Sequence, residues 1–165
     1  MFHERLPSLR VVTEAREYLE AAQLIERHAL SGNSGLFWPA AMNAGLASEL
    51  YLKSFLVESD PTYTRDLDDP EGYLKLVSGL QRNKHDLLEL YEAIPDALAE
   101  QLRQISERLS PGFPLKKRIK ACSALFVETR YAYEGKSIQR FDTEVFELAP
   151  HLDRILEEMT QAVSP

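Results

Sequence analysis

Apolar residues recur at helical spacing along the first thirty residues of the chain, and charged residues such as Glu14 and Glu17 fall between them. This alternation predicts an amphipathic helix that ends near the polar sequence SGNSG. The apolar face of this helix consists of Val12, Ala15, Leu19, Ala22, Ile25 and Ala29.

The next segment, LFWPAAMNAGLASELYLKSFLVES, is the longest apolar one and predicts a central helix that continues to Glu58. Pro39 suits the first turn of a helix, because the backbone N–H that proline lacks would have no partner within the helix at that position. A run of small residues would let a neighbouring helix approach closely. These residues are Ala40, Ala41, Ala44, Gly45, Ala47 and Ser48.

The acidic, proline-containing stretch between Asp60 and Pro70 predicts a surface connection, followed by a short helix over EGYLKLVSG. Another helix is predicted from Asp86 to Ile94, broken near Pro95 and resumed as far as Leu109. The sequence SPGFP ends it.

Helical periodicity returns in LKKRIKACSALFVETRYAY and in a last helix from Asp142 towards Val163, where Pro150 indicates a kink or a new start. We find no convincing strand pattern. The pattern therefore predicts one all-α domain over residues 1–165, an up-and-down bundle of about five main helices.

Composition narrows the classes of protein that fit. The net charge of −7 argues against a surface made for nonspecific nucleic-acid binding, although Lys116, Lys117, Arg118 and Lys120 form a local basic patch. The single cysteine, Cys122, has apolar neighbours, which predicts a buried, reduced thiol and a cytoplasmic protein. No apolar run is long enough to cross a membrane.

Sequence motifs of common enzymes are absent. The chain has no cysteine pair for zinc, no HExxH and no GxSxG, and its four histidines are scattered. We therefore predict no metal and no cofactor.

Glu49 and Lys53 lie four residues apart on the central helix, in the order that favours an ion pair. One interpretation is an exposed pair that contributes about 0.3–0.5 kcal/mol. The alternative is a largely buried carboxylate that requires a partner, because Leu46, Leu50 and Phe55 leave little room for a solvated face.

The sequence RNKHDLLELYEAI places His85 and Asp86 at the start of a predicted helix. Asn83 can cap this helix, and Asp86 can meet the unpaired N–H groups of its first turn. Capping does not explain His85, for which a structural role and a functional role both remain open.

The sequence FVETRYAYEG brings Arg130, Tyr131, Tyr133 and Glu134 together where a helix gives way to a loop. These residues could simply close the core, with Arg130 paired to Glu134. Arginine is also the residue suited to a bidentate grip on carboxylate or phosphate.

Taken together, ASELYLKSFL, KHDLLELY and FVETRYAYEG, in this order between residues 40 and 134, resemble the HEPN superfamily of helical bundle domains. The resemblance implies a usually dimeric four- or five-helix bundle from a prokaryotic toxin–antitoxin, defence or RNA-processing system. It also implies RNA or a nucleotidyltransferase as a partner. The absence of a long apolar run separately predicts no membrane association.

Ribonuclease members of that superfamily carry an arginine followed four to six residues later by a histidine. Here the corresponding positions after Arg130 hold Gly135, Lys136 and Ser137. The resemblance therefore implies a non-catalytic partner or regulatory subunit. The alternative is a divergent metal-independent ribonuclease in which folding brings His85 to Arg130.

Polar groups set into apolar helices must be satisfied, and charges of both signs at three separate places offer one another as partners. We therefore predict one partly buried polar cluster that serves as the candidate binding site. Its members are Glu49, Lys53, His85, Asp86, Arg130, Tyr131 and Glu134.

Overall fold

The computed structural model describes residues 7–60, 62, 72–77, 79–80, 85–123 and 143–161. In this part of the chain it is a helical bundle with a small two-stranded sheet. The predicted all-α bundle is therefore confirmed.

Helix α1, Leu9–Leu30, begins where the Ser8 hydroxyl accepts a hydrogen bond from the backbone of Val11. It ends before Gly32, whose φ of +130° suits glycine. The predicted apolar face is buried except at Ile25, which is half-buried.

Helix α2, Phe37–Lys53, follows a single 3₁₀ turn over Ser34–Leu36. All six of its predicted small residues are buried, and α2 packs along α1 as the small side chains allow. The helix stops at Lys53 and not at Glu58 as we predicted. Its end tightens into short-range hydrogen bonds, from Phe55 N to Leu52 O and from Leu56 N to Lys53 O.

Two strands, β1 (Val57–Asp60) and β2 (Tyr73–Leu76), pair antiparallel, with Val57 opposite Leu76 and Glu58 opposite Lys75. The expectation that the chain contains no strand was wrong, and so was the short helix over EGYLKLVSG. Strand β2 alternates exposed and half-buried residues, which is the period of a strand. The Val77 amide also donates to Leu56 O at 2.8 Å, which holds β2 to the end of α2.

Helices α3, Leu87–Ala93, and α4, Asp96–Leu109, are separated at Pro95, as predicted. Helix α5, Leu115–Ala121, follows a turn that contains Gly112. The predicted helix through Cys122 and Ser123 was wrong, because α5 ends at Ala121 and these two residues form a turn. Beyond Ser123, the predicted continuation lies outside the described residues.

Helix α6, Val145–Gln161, runs through Pro150 without a new start. The predicted limits Asp142 and Val163 lie outside the described residues. Helix α6 packs against α1, α2, α4 and α5.

The core lies between α2 and α6 and includes Cys122, which is buried as predicted. Within the described ranges, no helix is both long and apolar enough to span a bilayer.

Candidate functional site

Glu49 is a buried carboxylate on the central helix. Its side chain is only 2% exposed, and it accepts a hydrogen bond from Lys53 Nζ at 2.5 Å. The spacing of four residues brings the two side chains to one face of α2. Of the two interpretations of this pair, the structure supports the partnered, buried carboxylate and excludes the exposed ion pair.

His85 brings a second donor to the same carboxylate from another part of the chain. Its Nδ1 lies 3.0 Å from Glu49 Oε1 and 3.1 Å from Glu49 Oε2. Since an ionised carboxylate only accepts hydrogen bonds, Nδ1 carries the proton in this arrangement. We call Glu49, Lys53 and His85 the Glu49 cluster.

The Glu49 cluster combines an inner carboxylate with two outer nitrogen groups. Lys53 is 15% exposed and His85 is 37% exposed, so the imidazole borders solvent. A carboxylate at Nδ1 sets the tautomer of a histidine and orients its ring, and it leaves the second nitrogen as the lone-pair atom of the neutral ring. Chemically, the neutral ring can accept a proton at Nε2, and the protonated ring can donate from Nε2 to an anionic group.

Asp86 follows His85 of the Glu49 cluster directly in the chain. It is the N-cap of α3 and accepts a hydrogen bond from the Glu89 amide at 3.0 Å. It therefore takes the capping role that we assigned to Asn83, which lies outside the described residues. A carboxylate at the N-cap meets the positive end of the helix dipole. Asp86 therefore stabilises the start of α3, directly after His85 in the chain.

Ser123 ties this cap to the end of α5. Its hydroxyl donates to Asp86 and accepts from the Leu88 amide at 3.0 Å, while its carbonyl accepts from the Leu87 amide at 2.9 Å. The first turn of α3 thus takes its hydrogen-bond partners from a residue distant in sequence. The sequence analysis missed Ser123, since a serine after a helix carries no distinctive signal.

The other predicted members of the cluster, Arg130, Tyr131 and Glu134, lie outside the described residues. The structure thus brings together Glu49, Lys53 and His85 and places Asp86 next to them. The convergence of all seven residues stays a prediction.

A second polar group lies inside the bundle at His151 of α6, which we did not single out. The ring is 4% exposed, its Nε2 lies 2.7 Å from Ser106 Oγ, and Phe113 stacks on it with a centroid distance of 4.0 Å. Burial lowers the pKa of His151, and the positive charge of Arg154 adds to this effect. The position of His151 between Leu148 and Leu152 on an apolar face was the available signal.

A third polar group joins α1, α2 and α6. Asp153 Oδ1 accepts hydrogen bonds from the Tyr51 hydroxyl at 2.9 Å and from Arg16 Nε at 2.7 Å. Burial raises the pKa of the Tyr51 hydroxyl, and the negative charge of Asp153 adds to the rise. This group stabilises the packing of three helices.

The basic patch on α5 is partly neutralised by acidic neighbours. Lys116 Nζ lies 3.3 Å from a carboxylate oxygen of Glu92. Arg118 pairs with Glu147 and lies over the Phe113 ring, 5.3 Å from its centroid. Two of the four basic residues therefore have partners within the bundle, which weakens the patch as a surface for RNA.

A groove of about 480 Å³ lies along α1 and α2. Its lining carries charges of both signs and includes no member of the Glu49 cluster. The polar residues that line it are Arg10, Thr13, Glu14, Glu17, Tyr18 and Asn43.

Among the described residues there is no group of three or more histidine, cysteine, aspartate or glutamate side chains that could hold a metal ion. Comparison of the chain with family models, with curated proteins and with solved structures gives no match. The Glu49 cluster and its surroundings form the candidate functional site.

Proposed function

We propose that the protein is a non-catalytic, HEPN-like binding module that acts in the cytoplasm as a partner or regulatory subunit of a prokaryotic toxin–antitoxin, defence or RNA-processing system. The observation that carries this proposal is that the Glu49 carboxylate accepts two hydrogen bonds, from Lys53 at 2.5 Å and from His85 at 3.0 Å. The thiol of Cys122, which is buried and forms no disulfide, supports the cytoplasmic assignment.

The geometry of the Glu49 cluster favours binding of an anionic group. A buried carboxylate holds an ammonium group and an imidazole at fixed positions, and both reach towards solvent to different degrees. Lys53 and the imidazolium form of His85 are pre-organised donors, and they lose little freedom when they bind a phosphate. We expect the Glu49 cluster to bind single-stranded RNA, because the phosphates of such RNA can approach an imidazole that lies at a loop.

A divergent metal-independent ribonuclease is the second candidate, and one specific observation favours it. His85 Nδ1 donates a hydrogen bond to the Glu49 carboxylate. In many enzymes a carboxylate in this position orients a histidine that acts as general base. In this candidate His85 takes a proton from the 2′-hydroxyl of RNA, and Arg130, outside the described residues, binds the phosphate.

Binding and cleavage of the same labelled RNA distinguish the two candidates. We expect fluorescence anisotropy in EDTA to show that a single-stranded RNA binds and stays intact on a denaturing gel. The variant His85→Ala should weaken binding by about five- to thirtyfold, equivalent to about 1–2 kcal/mol. The variant His28→Ala, which changes an exposed histidine of α1, should bind like the wild type.

The outcomes are separable because circular dichroism first establishes that each variant is folded. Cleavage in EDTA that disappears in the His85→Ala variant would replace the binding module with the ribonuclease. Equal binding by the His85→Ala and His28→Ala variants would show that the Glu49 cluster is not the RNA site. If neither single-stranded nor hairpin RNA binds, the assignment of RNA as the ligand is wrong.

The proposal includes a homodimer and a nucleotidyltransferase as the expected protein partner. Light scattering at micromolar concentration should give twice the chain mass, and a monomeric mass would contradict the dimer. Co-purification with a nucleotidyltransferase encoded next to this protein would support the partner assignment.

A further inference from the structure

His151 is a titratable group inside the bundle that the proposed site does not use. It lies on the buried face of α6, with Ser106 of α4 on one side and Phe113 of the α4–α5 connection stacked on its ring. Because Ser106 is itself 2% exposed, the contact is shielded from water. One side chain thus holds two neighbouring elements to α6.

This environment suits a neutral imidazole. The Ser106 hydroxyl can donate to a neutral Nε2 or accept from it, so the hydrogen bond forms with either tautomer. Burial and the charge of Arg154 both lower the pKa of His151 from its ordinary value of 6.5. A proton on His151 would therefore add a cation close to that of Arg154.

The charged groups on the surrounding helices do not offer His151 a compensating carboxylate. Within the described part of the chain, no carboxylate bonds to His151, whose hydrogen-bond partner is Ser106. Four acids of α4 and α6 are engaged elsewhere, by arginine, by a tyrosine hydroxyl or by a backbone amide. The pairs are Arg108 with Glu158, Arg118 with Glu147, Glu107 with the Gly112 amide, and Asp153 with Arg16 and Tyr51.

We propose that protonation of His151 releases α4 and the Phe113 connection from α6, so that this corner of the bundle is a pH-sensitive element. In the open corner the imidazolium is hydrated and no longer buried beside Arg154. Because the closed corner disfavours the proton and the open corner accepts it, acid shifts the equilibrium towards opening. The shift begins as the pH falls towards 6.5, the ordinary value for this side chain.

Hydrogen exchange measured by mass spectrometry tests this proposal on the full chain. We compare pH 7.5 with pH 5.5, where carboxylates remain largely ionised, and correct for the intrinsic exchange rates. Protection of α4 amides should fall by up to about tenfold, the limit for a histidine that stays neutral when closed and titrates at about 6.5 when open. Peptides from α1 and α2 should change less.

Two variants test whether His151 causes the pH dependence of α4 protection. His151→Gln cannot titrate but keeps a side-chain group able to bond Ser106, so the pH dependence of α4 protection should disappear. His28→Gln changes an exposed histidine of α1 and should retain the wild-type dependence. If His151→Gln keeps the dependence, or if α1 and α2 lose protection as much as α4, the proposal is overturned.

A measurement on the wild-type protein covers the case in which His151→Gln does not fold. An NMR titration of the histidine ring protons should show one ring that titrates below the ordinary histidine value in the folded protein. If all histidine rings of the folded chain titrate at or above that value, His151 does not resist protonation and the proposal fails.

Discussion

The Glu49–Lys53 pair allows a quantitative test of how the bundle holds a charge in its interior. The substitution Glu49→Gln keeps the shape of the side chain but removes its charge and one acceptor oxygen. Breaking a fully buried ion pair costs about 3–5 kcal/mol, and a hydrogen bond to a charged group contributes about 1.5–3 kcal/mol. Since Lys53 and His85 retain 15% and 37% exposure, water compensates part of the loss. We therefore expect a loss of about 1.5–3 kcal/mol.

Urea denaturation followed by far-ultraviolet circular dichroism measures this loss by linear extrapolation. The matched control is Glu100→Gln, which changes an exposed glutamate paired with Arg103 on the surface of α4. That substitution should lower the free energy of unfolding by less than about 0.5 kcal/mol. The comparison isolates burial, because the chemical change is the same at both positions.

A double-mutant cycle with Lys53→Met then separates the pair from its surroundings. We expect a coupling free energy of at least about 1 kcal/mol, since each single substitution leaves the other group without its closest partner. The reasoning is refuted if Glu49→Gln and Glu100→Gln have equal effects, or if the coupling is within error of zero.

The Tyr51→Phe substitution should lower the free energy of unfolding by about 1–2 kcal/mol, because the buried hydroxyl donates to the Asp153 carboxylate. Burial raises the pKa of Tyr51 above its ordinary value of 10.0, so the unfolded chain loses this proton first and stability falls as the pH rises above that value. The Asp86→Ala substitution should lower the free energy of unfolding by about 1–2 kcal/mol, since it removes the α3 cap and the contact with Ser123.

Urea denaturation measures both substitutions, and alkaline denaturation measures the pH dependence. Tyr73→Phe is the control for Tyr51, because Tyr73 is 53% exposed. Equal losses at the two tyrosines, or the same alkaline slope in Tyr51→Phe and the wild type, would contradict the argument. Asp96→Ala is the control for Asp86, since Asp96 lies in the first turn of α4 without serving as its cap. Equal losses at these two aspartates would show that the α3 cap is not special.

Helix positions could largely be predicted from the sequence, because each helix buries one periodic apolar face. The break at Pro95 also followed from local chemistry. The end of α2 could not be predicted, since SFLVES is as apolar as the helix before it. The chain leaves the helix there because β1 pairs with β2, and this partner comes from more than ten residues further along. Tertiary pairing overrode the local pattern.

The candidate site was predictable to the extent that its residues lacked a local explanation. Capping did not explain His85, and the apolar neighbours of Glu49 left little room for a solvated face. The structure joins these two residues. Sequence alone could not show that Asp86 would bond to Ser123, since side-chain partners across helices leave no periodic signal. His151 was detectable in principle, because it occupies a position on an apolar stripe where a leucine would fit.

Helix α6 has a consequence for how the protein folds during synthesis. Its buried face packs against α1, α2, α4 and α5, yet it is the last helix of the described chain to be made. While the ribosome is still making the preceding segments, the apolar side of α2 that faces α6 has no native cover. The nascent bundle should therefore bind chaperones that recognise apolar surface, and release from them should coincide with the emergence of α6.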